Sequence, residues 1–460
     1  MNAILISAIW GVVMMFSGVF SKSNSVIRYT AITGLAVLLA VSVMDMSGHP
    51  LFRINTRNML VFGSFGMLFN LIAFGSTFIY FLLSGRDIEK VGKYTAEYYA
   101  LIFFILCGVS IASSFNTLLL LFLSIEIISI PSYILTGTDK RNLKSNEASL
   151  KYFLMGAFST GLMLMGITLI YGSKGSFNME VISLGNEAMT PMVGAGLLLL
   201  LFSMAFKVSA VPFHFWTPDV YDGAPTVFTS FMATIVKAAG FIAFIRLFEG
   251  SFGSMHSEWR LMISIITAAT LVIGNITAIF QQSVKRMLAY SSIAQAGFML
   301  FALVALNGTA KEGLVYYAAA YSLATIGVFA ILIKMKDYTF EGFNGLAKHH
   351  PVLAAVNAIF LLSLAGIPAT AGFMAKFYML SAAVKSGNVL WLVILGVLCA
   401  AISVYYYFRV IQAMYFKDGE KQDIDASPSF KILLILLAAL IIILGIFPGL
   451  LIDKLWYFGG

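Results

Sequence analysis

The sequence predicts an all-α protein that crosses a membrane many times, and three observations carry that prediction. Of the 460 residues, 60% are hydrophobic and only 11% are charged, whereas soluble domains carry about 25% charged residues. The mean hydropathy is high, at +0.92. Apolar runs of about 20 residues, the length that spans a bilayer as a helix, account for most of the chain.

Successive apolar runs predict about fourteen transmembrane helices. Their predicted ranges are 3–20, 27–47, 58–84, 96–113, 116–136, 147–172, 190–214, 222–249, 259–280, 287–306, 311–334, 353–386, 388–416 and 428–451. The first range includes the N-terminal MNAILISAIW, which lacks a basic region and a cleavage site, so we read it as a span. The twelfth range is too long for one straight span and contains AGIPATAGF, so we expect a break near Pro368.

The helices divide into four parts, two of which are related by a faint repeat. The parts are a three-helix segment at 1–95, five-helix units at 96–249 and 259–416, and a C-terminal helix within 417–460. GVSIASSFNTLLLLFLSIE in the first unit resembles GNITAIFQQSVKRMLAYSS in the second in its spacing of small and apolar residues. Pro212 and Pro368 are each followed by a helix with an arginine near its end, Arg246 and Arg409 respectively. An odd number of helices per unit inverts the second copy, so we expect inverted repeats with broken helices.

Charge in the connections predicts the orientation. The odd-numbered connections hold about 17 lysines and arginines and the even-numbered ones about 7, so both termini are predicted to face outward. The net charge of +8 therefore reflects membrane topology, and no nucleic-acid partner is expected. Cys107 and Cys399 fall inside apolar runs and indicate neither a disulfide framework nor a metal site.

Four charged residues lie inside predicted helices, and they are the candidate site. They are Glu126, Lys207, Lys237 and Lys376. A charge at the bilayer centre costs about 2.5–3.5 kcal/mol on insertion scales, so such residues usually face protein, a partner or water. For the lysines the alternative is that the ammonium group reaches the headgroups along an apolar surface. For Glu126 the alternative is an ion pair without a transport role.

Prolines accompany these charges. Pro131, Pro212 and Pro368 each lack an N–H group and interrupt a helix, which frees a backbone carbonyl four residues earlier. The freed carbonyls belong to Ile127, Val208 and Leu364. A carbonyl beside a titratable group can hold a water molecule and pass on a proton. The alternative is a kink that serves packing alone.

One acid and three lysines on four helices predict a proton relay across the membrane plane. Pairing favours the charged forms of Glu126 and Lys207, whereas burial without a partner favours the neutral forms. A pair that forms and separates would therefore switch a lysine between holding and releasing its proton. His214 is an additional candidate, although it also lies beside Trp216 at a predicted interface. Polar residues that could bridge the relay are Ser209, His214, Thr234, Tyr316, Tyr317, Tyr321, Ser322 and Thr325. Serines and threonines more often bond their own helix backbone.

Several redox and nucleotide-binding motifs are missing from the sequence. It has no C-x-x-C cluster, no paired histidines suited to haem, and no phosphate-binding glycine loop that opens a helix; GAGLLLL at Gly194 lacks that context. We therefore expect no flavin, iron–sulfur cluster, nucleotide or other cofactor in this chain, and no redox step.

Three motifs carry a resemblance to a known family. FKVSAVPFHFWTPDVYDGAPT, FLSIEIISIPSYIL and SVKRMLAYSSIAQAGF resemble the antiporter-like membrane subunits of proton-pumping NADH:quinone oxidoreductase, respiratory complex I, and most closely the N subunits. The resemblance covers nearly the whole chain. It implies fourteen helices with two inverted five-helix repeats, a multi-pass subunit of the bacterial inner membrane, and other membrane subunits as partners. NADH, FMN, iron–sulfur clusters and quinone are then expected on other subunits.

The resemblance also implies residue roles. Glu126 and Lys207 correspond to the family's pair on helices 5 and 7, Lys237 to its central lysine, and Lys376 to its helix 12 lysine. Three functions stay open at this point: a proton-translocating subunit of complex I, a cation/proton antiporter subunit, and a structural membrane scaffold. Sodium-dependent growth would favour the second, and normal pumping after neutralising Lys207 and Lys237 would favour the third.

Overall fold

The computed structural model describes residues 1–52, 55–183, 190–420 and 424–457. The predicted C-terminal part therefore includes residues 421–423 and 458–460, which lie outside the described residues. The described chain folds into α-helices whose bounds are α1 Asn2–Phe20, α2 Asn24–Met46, α3 Ser64–Val91, α4 Thr95–Ala112, α5 Leu118–Thr136, α6 Leu143–Lys174, α7 Met179–Ser183, α8 Pro191–Lys207, α9 Trp216–Gly223, α10 Thr226–Phe231, α11 Lys237–Phe252, α12 His256–Ile279, α13 Val284–Ala305, α14 Gly308–Leu332, α15 Leu346–His349, α16 Pro351–Ala365, α17 Ala371–Ser386, α18 Leu390–Phe416, α19 Pro428–Ile446 and α20 Gly449–Tyr457.

Helix boundaries follow from the residues at the caps. Thr117, Thr190 and Ser427 each accept a hydrogen bond from the backbone N–H three residues later, at the starts of α5, α8 and α19. Pro191 and Pro428 occupy the first helical position, where a missing N–H costs nothing. Polar caps thus separate runs that are otherwise almost wholly apolar.

The described chain contains eleven helical stretches long and apolar enough to cross a membrane. One of them, Thr226–Ile279, is a continuous stretch in which α11 and α12 are joined by a short 3₁₀ turn. Two further apolar helices, α8 and α16, are shorter because each ends at a break. The all-α membrane fold is therefore confirmed, and the count of fourteen spans stays a prediction.

The breaks lie at two of the three prolines. The chain leaves α8 at Lys207 and re-enters a helix at Trp216, on either side of Pro212. It leaves α16 at Ala365 through Gly366, whose φ of +85° suits glycine, and re-enters at Ala371. At Pro131 the expected interruption is wrong, because α5 continues through that residue to Thr136.

The helices α13 and α14 lie at the centre of the buried core. The apolar windows of α13 and α14 are 94% and 100% buried, against 22% for α1 at the periphery. A π-helical turn, Met232–Val236, joins α10 to α11 immediately before Lys237. Such a turn contains one extra residue, and in α-helices it often marks a functional position.

The two predicted five-helix units contain matching contacts. The Arg246 guanidinium donates to the Phe115 carbonyl just after α4, and that of Arg409 donates to the Ile279 carbonyl at the end of α12. An isolated antiparallel bridge precedes the second helix of each unit. It joins Thr117 to Asn178 in the first unit and Ser283 to Thr339 in the second.

Candidate functional site

Lys207 lies against α5, the helix that carries Glu126, without forming an ion pair with that residue. Lys207 Nζ donates to Ser129 Oγ at 3.0 Å and lies 3.5 Å from the Tyr133 hydroxyl. Glu126 Oε1 accepts a hydrogen bond from Thr160 Oγ1 at 2.7 Å. Ser129 follows Glu126 by three residues, so the two partners occupy adjacent turns of one helix face. The carboxylate and the ammonium group are thus neighbours that each bond a hydroxyl.

Lys237 is the most deeply buried of the three lysines on which the prediction rests. Its side chain is 2% exposed, and Nζ donates to Ser292 Oγ at 2.9 Å and to the Ser292 carbonyl at 3.0 Å. The ammonium nitrogen also lies 5.7 Å from the centre of the Tyr221 ring, within the range of a cation–π interaction. This burial excludes the alternative in which the side chain reaches the headgroups.

The Lys376 side chain bonds the break between α16 and α17. It lies on α17, is 6% exposed, and donates from Nζ to the Ala365 carbonyl at 2.7 Å. Its nitrogen lies 4.9 Å from the centre of the Phe298 ring. Because α16 ends at Ala365, this carbonyl is one of those that a helix leaves open at its C-terminus. The break therefore supplies the acceptor that holds the lysine.

The lysines share a type of partner. Among the described residues, no carboxylate lies within ion-pair distance of Lys207, Lys237 or Lys376, and the partners of all three are neutral oxygens. Breaking a buried ion pair is costly, whereas an ammonium group held by neutral oxygens can exchange its proton without that step.

The additional candidates differ in the partners that they contact. Thr234 donates to the Ser230 carbonyl of its own helix at 2.7 Å, which is the backbone bonding already considered for such residues, and Tyr316 donates to the Leu444 carbonyl at 2.7 Å. Tyr317 instead donates to Gln295 Oε1 on α13. His214 lies between α8 and α9 with its ring 4.4 Å from that of Phe215, and it makes no hydrogen bond to the candidate lysines among the described residues. The remaining ones are buried: Ser209, Tyr321, Ser322 and Thr325.

Two buried groups were missed by the sequence argument. Lys285 is 4% exposed and donates to the carbonyls of Asp222 and Ala224 at 2.8 and 2.7 Å. It stands in the quoted motif SVKRMLAYSSIAQAGF, but its place at the start of α13 made it look like a loop charge. Gln295, in the same motif, carried no charge and so gave no signal.

A further buried ion pair lies away from these lysines. Lys334, in the turn just after α14, lies 2.8 Å from an Asp87 carboxylate oxygen, and the two side chains are 9% and 6% exposed. The pair ties α3 to the second five-helix unit. Lys334 lies at the edge of the predicted eleventh helix and Asp87 just beyond the predicted third, so neither counted as an intramembrane charge.

Comparison with known proteins agrees with this architecture. The profile of the NADH:quinone oxidoreductase/Mrp antiporter transmembrane family matches residues 115–403. NADH-quinone oxidoreductase subunit N of Cytophaga hutchinsonii is 40% identical over 98% of this chain and 99% of its own. Subunit N of Trichlorobacter lovleyi is 36% identical over 98% of this chain and 94% of its own.

A solved structure shows the same fold. A chain of respiratory complex I from Thermus thermophilus with bound aureothin superposes with a TM-score of 0.85 and 31% identity, covering 98% of this chain and 99% of that one. The chain therefore belongs to the NADH:quinone oxidoreductase/Mrp antiporter family of membrane subunits, among the N subunits of NADH-quinone oxidoreductase.

Proposed function

We propose that this chain translocates protons as a membrane subunit of NADH:quinone oxidoreductase, through Glu126, Lys207, Lys237 and Lys376. The observation that carries the proposal is the set of partners that the three lysines bond. Each is bonded to neutral oxygens inside the helical bundle, where a charged residue is costly and usually functional.

The contacts suggest an order for the relay. Lys207 sits against Ser129, one turn from Glu126, and forms the switch of the first unit. Lys237 belongs to the first unit, and its ammonium group bonds Ser292 of the second unit, so it carries the proton between the units. Lys376, held at the break of the second unit, is the group at the outlet.

The driving reaction lies elsewhere in the complex. We propose that NADH, FMN, iron–sulfur clusters and quinone bind other subunits, and that quinone reduction there drives proton movement here. The sequence lacks the redox and nucleotide-binding motifs considered above, which supports placing these cofactors on other subunits. The other membrane subunits of complex I and the lipid of the bacterial inner membrane are then the immediate surroundings of the chain.

The same proposal includes orientation and internal symmetry. The bias of lysine and arginine in the connections supports both termini on the outer face. The matching contacts of Arg246 and Arg409, and the matching bridges at Thr117 and Ser283, support two inverted repeats at 96–249 and 259–416. His214 has no lysine partner among the described residues and is assigned no step.

Neutralisation of the relay tests the proposal. In membrane vesicles containing the assembled complex, Lys376→Ala should abolish most quinone-coupled proton uptake. Lys376→Glu keeps a titratable group there and should retain more. The matched control is Lys385→Ala, since Lys385 lies in the last turn of the same helix. Equal uptake in Lys376→Ala and wild type would contradict the relay.

A further inference from the structure

Gln295 lies at the middle of α13 with all parts of its amide engaged. The side chain is 4% exposed. Nε2 donates to the Leu364 carbonyl at 2.8 Å and lies 3.2 Å from the Tyr407 hydroxyl. Oε1 accepts from the Tyr317 hydroxyl. A buried amide held from both ends has a single orientation, so its partners are fixed relative to one another.

The Leu364 carbonyl needs such a donor for a chemical reason. In an unbroken helix it would accept from the N–H of residue 368, and that residue is a proline without an N–H. Gln295 supplies the missing donor. The next carbonyl, that of Ala365, accepts from Lys376. Gln295 and Lys376 therefore hold two successive open carbonyls at the end of α16.

The same helix contacts the other lysine one turn earlier. Ser292, the partner of Lys237, precedes Gln295 by three residues, so both side chains face one side of α13. A change in how Lys237 bonds Ser292 acts on the helix that carries Gln295. The chain of contacts from Lys237 to Lys376 is then Ser292, Gln295 and the end of α16.

The repeat of the two units gives Gln295 an equivalent. Gln295 follows the bridged residue Ser283 by twelve positions, and Ser129 follows the bridged residue Thr117 by the same number. Ser129 is the partner of Lys207 in the first unit. The second unit thus has, at the position of a lysine-binding serine, an amide that binds the backbone beside a lysine.

A small cavity adjoins the amide. It is lined by Gln295, Tyr317, Ser363, Leu364 and Ala375 among others, and its volume is about 10 Å³. That volume is at the lower limit for one water molecule. A water there can bond the Leu364 carbonyl in place of the amide, so Gln295 has room to release that carbonyl without leaving it unpaired.

We infer that Gln295 is a positioning residue that couples Lys237 to Lys376 by holding the open end of α16. The inference rests on the proton relay proposed above. While the amide holds Leu364, the neighbouring Ala365 carbonyl stays in place as the acceptor for Lys376. When the Gln295 amide breaks its bond to Leu364, the Ala365 carbonyl moves, and the Lys376 ammonium group can transfer its proton.

Two substitutions test this in vesicles containing the assembled complex. Gln295→Leu removes both hydrogen-bonding ends of the side chain, so the Leu364 carbonyl is no longer linked to α13, and quinone-coupled proton uptake should fall about fivefold or more. Gln295→Glu keeps the shape but donates to Leu364 only while the carboxyl is protonated. Its proton uptake should therefore be near wild type at acidic pH and fall as pH rises, beyond any decline in wild type.

Matched controls separate this role from a structural one. Gln282→Leu and Gln282→Glu change an exposed glutamine in the connection before α13 and should leave uptake and its pH profile unchanged. A Gln295→Glu profile that follows wild type across pH, or wild-type uptake in Gln295→Leu, would overturn the inference. If Gln295→Leu fails to assemble, the pH profile of Gln295→Glu still decides. Normal uptake in Lys237→Met and Lys376→Ala, measured in parallel, would instead contradict the relay itself.

Discussion

Lys207 and Glu126 each bond a hydroxyl group and do not bond each other: Nζ of Lys207 lies 3.0 Å from Ser129 Oγ, and Oε1 of Glu126 lies 2.7 Å from Thr160 Oγ1. Ser129 and Glu126 are three residues apart on one face of α5, so the partner of Lys207 and the Glu126 carboxylate neighbour each other on that helix. If the two groups form the switch proposed above, this arrangement is its open form. An ion pair between them would compete with the bonds of Lys207 to Ser129 and Tyr133 and with the bond that Glu126 accepts from Thr160.

A double-mutant cycle tests this pair as a switch. Glu126→Gln and Lys207→Met should each lower quinone-coupled proton uptake about tenfold or more, and the double variant should be little worse, because all three remove the same switch. Uptake is measured in vesicles at equal content of assembled complex. Strictly multiplicative losses would show two independent groups and contradict the switch.

The Lys237 ammonium group is predicted to act through its proton and not through its charge alone. Lys237→Met should abolish most coupled proton uptake. Lys237→Arg should fail to restore it, because guanidinium stays protonated. Ser292→Ala removes one of the two acceptors and leaves the Ser292 carbonyl, so its loss should be smaller than that of Lys237→Met. Full activity in Lys237→Met would remove Lys237 from the path.

Gly366 is predicted to fix the approach of Lys376 to the end of α16. Its φ is +85°, and a methyl group there would lie 2.9 Å from Cδ of Lys376, so Gly366→Ala should displace the lysine and lower proton uptake. Gly175, after α6, is the matched control, because it is also left-handed, with a φ of +66°, and has open space around it. Both alanine variants bear a backbone cost of about 1–2 kcal/mol, but only Gly366→Ala should impair uptake. Equal uptake in the two variants would contradict the steric argument.

Orientation is predicted to be readable by cysteine labelling. Cys107 and Cys399 are buried, at 8% and 2% exposure, so their background reaction with an impermeant maleimide should be low. Ser23→Cys, in the exposed turn between α1 and α2, should react only in inverted vesicles. Ser254→Cys, in the exposed turn before α12, should react in intact cells. The reverse pattern would mean that the termini face the cytoplasm.

The Asp87–Lys334 pair is predicted to hold the N-terminal three-helix segment against the second unit. Asp87→Asn leaves a buried ammonium group without its carboxylate and should destabilise the complex by about 3–5 kcal/mol. The control is Asp418→Asn, whose partner Lys348 is exposed and whose loss should have no measurable effect. Thermal inactivation of quinone reduction measures both. An unchanged midpoint in Asp87→Asn would show that the pair carries little stability.

Sequence reasoning located the site where a charge interrupts an apolar run. Lys237 and Lys376 stood out because they lie inside their apolar runs, away from the charges near the run ends, and the break at Pro368 followed from the missing N–H of proline. Pro131 was misjudged because a proline can remain within a helix when neighbouring helices support it. No pattern could indicate that Lys207 and Glu126 bond hydroxyl groups, because rotamers are set by packing between helices distant in the chain.

The two residues that sequence reasoning missed illustrate different limits. Lys285 was visible but stood too close to a helix end to look buried, and only the tertiary contact with α9 shows that it is. Gln295 could not be selected without the partner on α16, since a single glutamine in an apolar helix has no distinctive spacing. Its relation to Ser129 becomes evident only when the backbone bridges fix the register of the two units.

The π-helical turn at Met232–Val236 also sets an angle. Each residue of an α-helix advances by about 100° around the axis, so one extra residue in the turn rotates everything after it by that amount relative to a regular helix. Lys237 is the first residue beyond the turn. The extra residue of the turn therefore sets the direction in which Lys237 points towards Ser292. It sets the direction of Arg246, further along the helix, in the same way. A π turn that moved along the helix would swing the intervening side chains from one neighbouring helix to another, while the helix kept its place in the bundle.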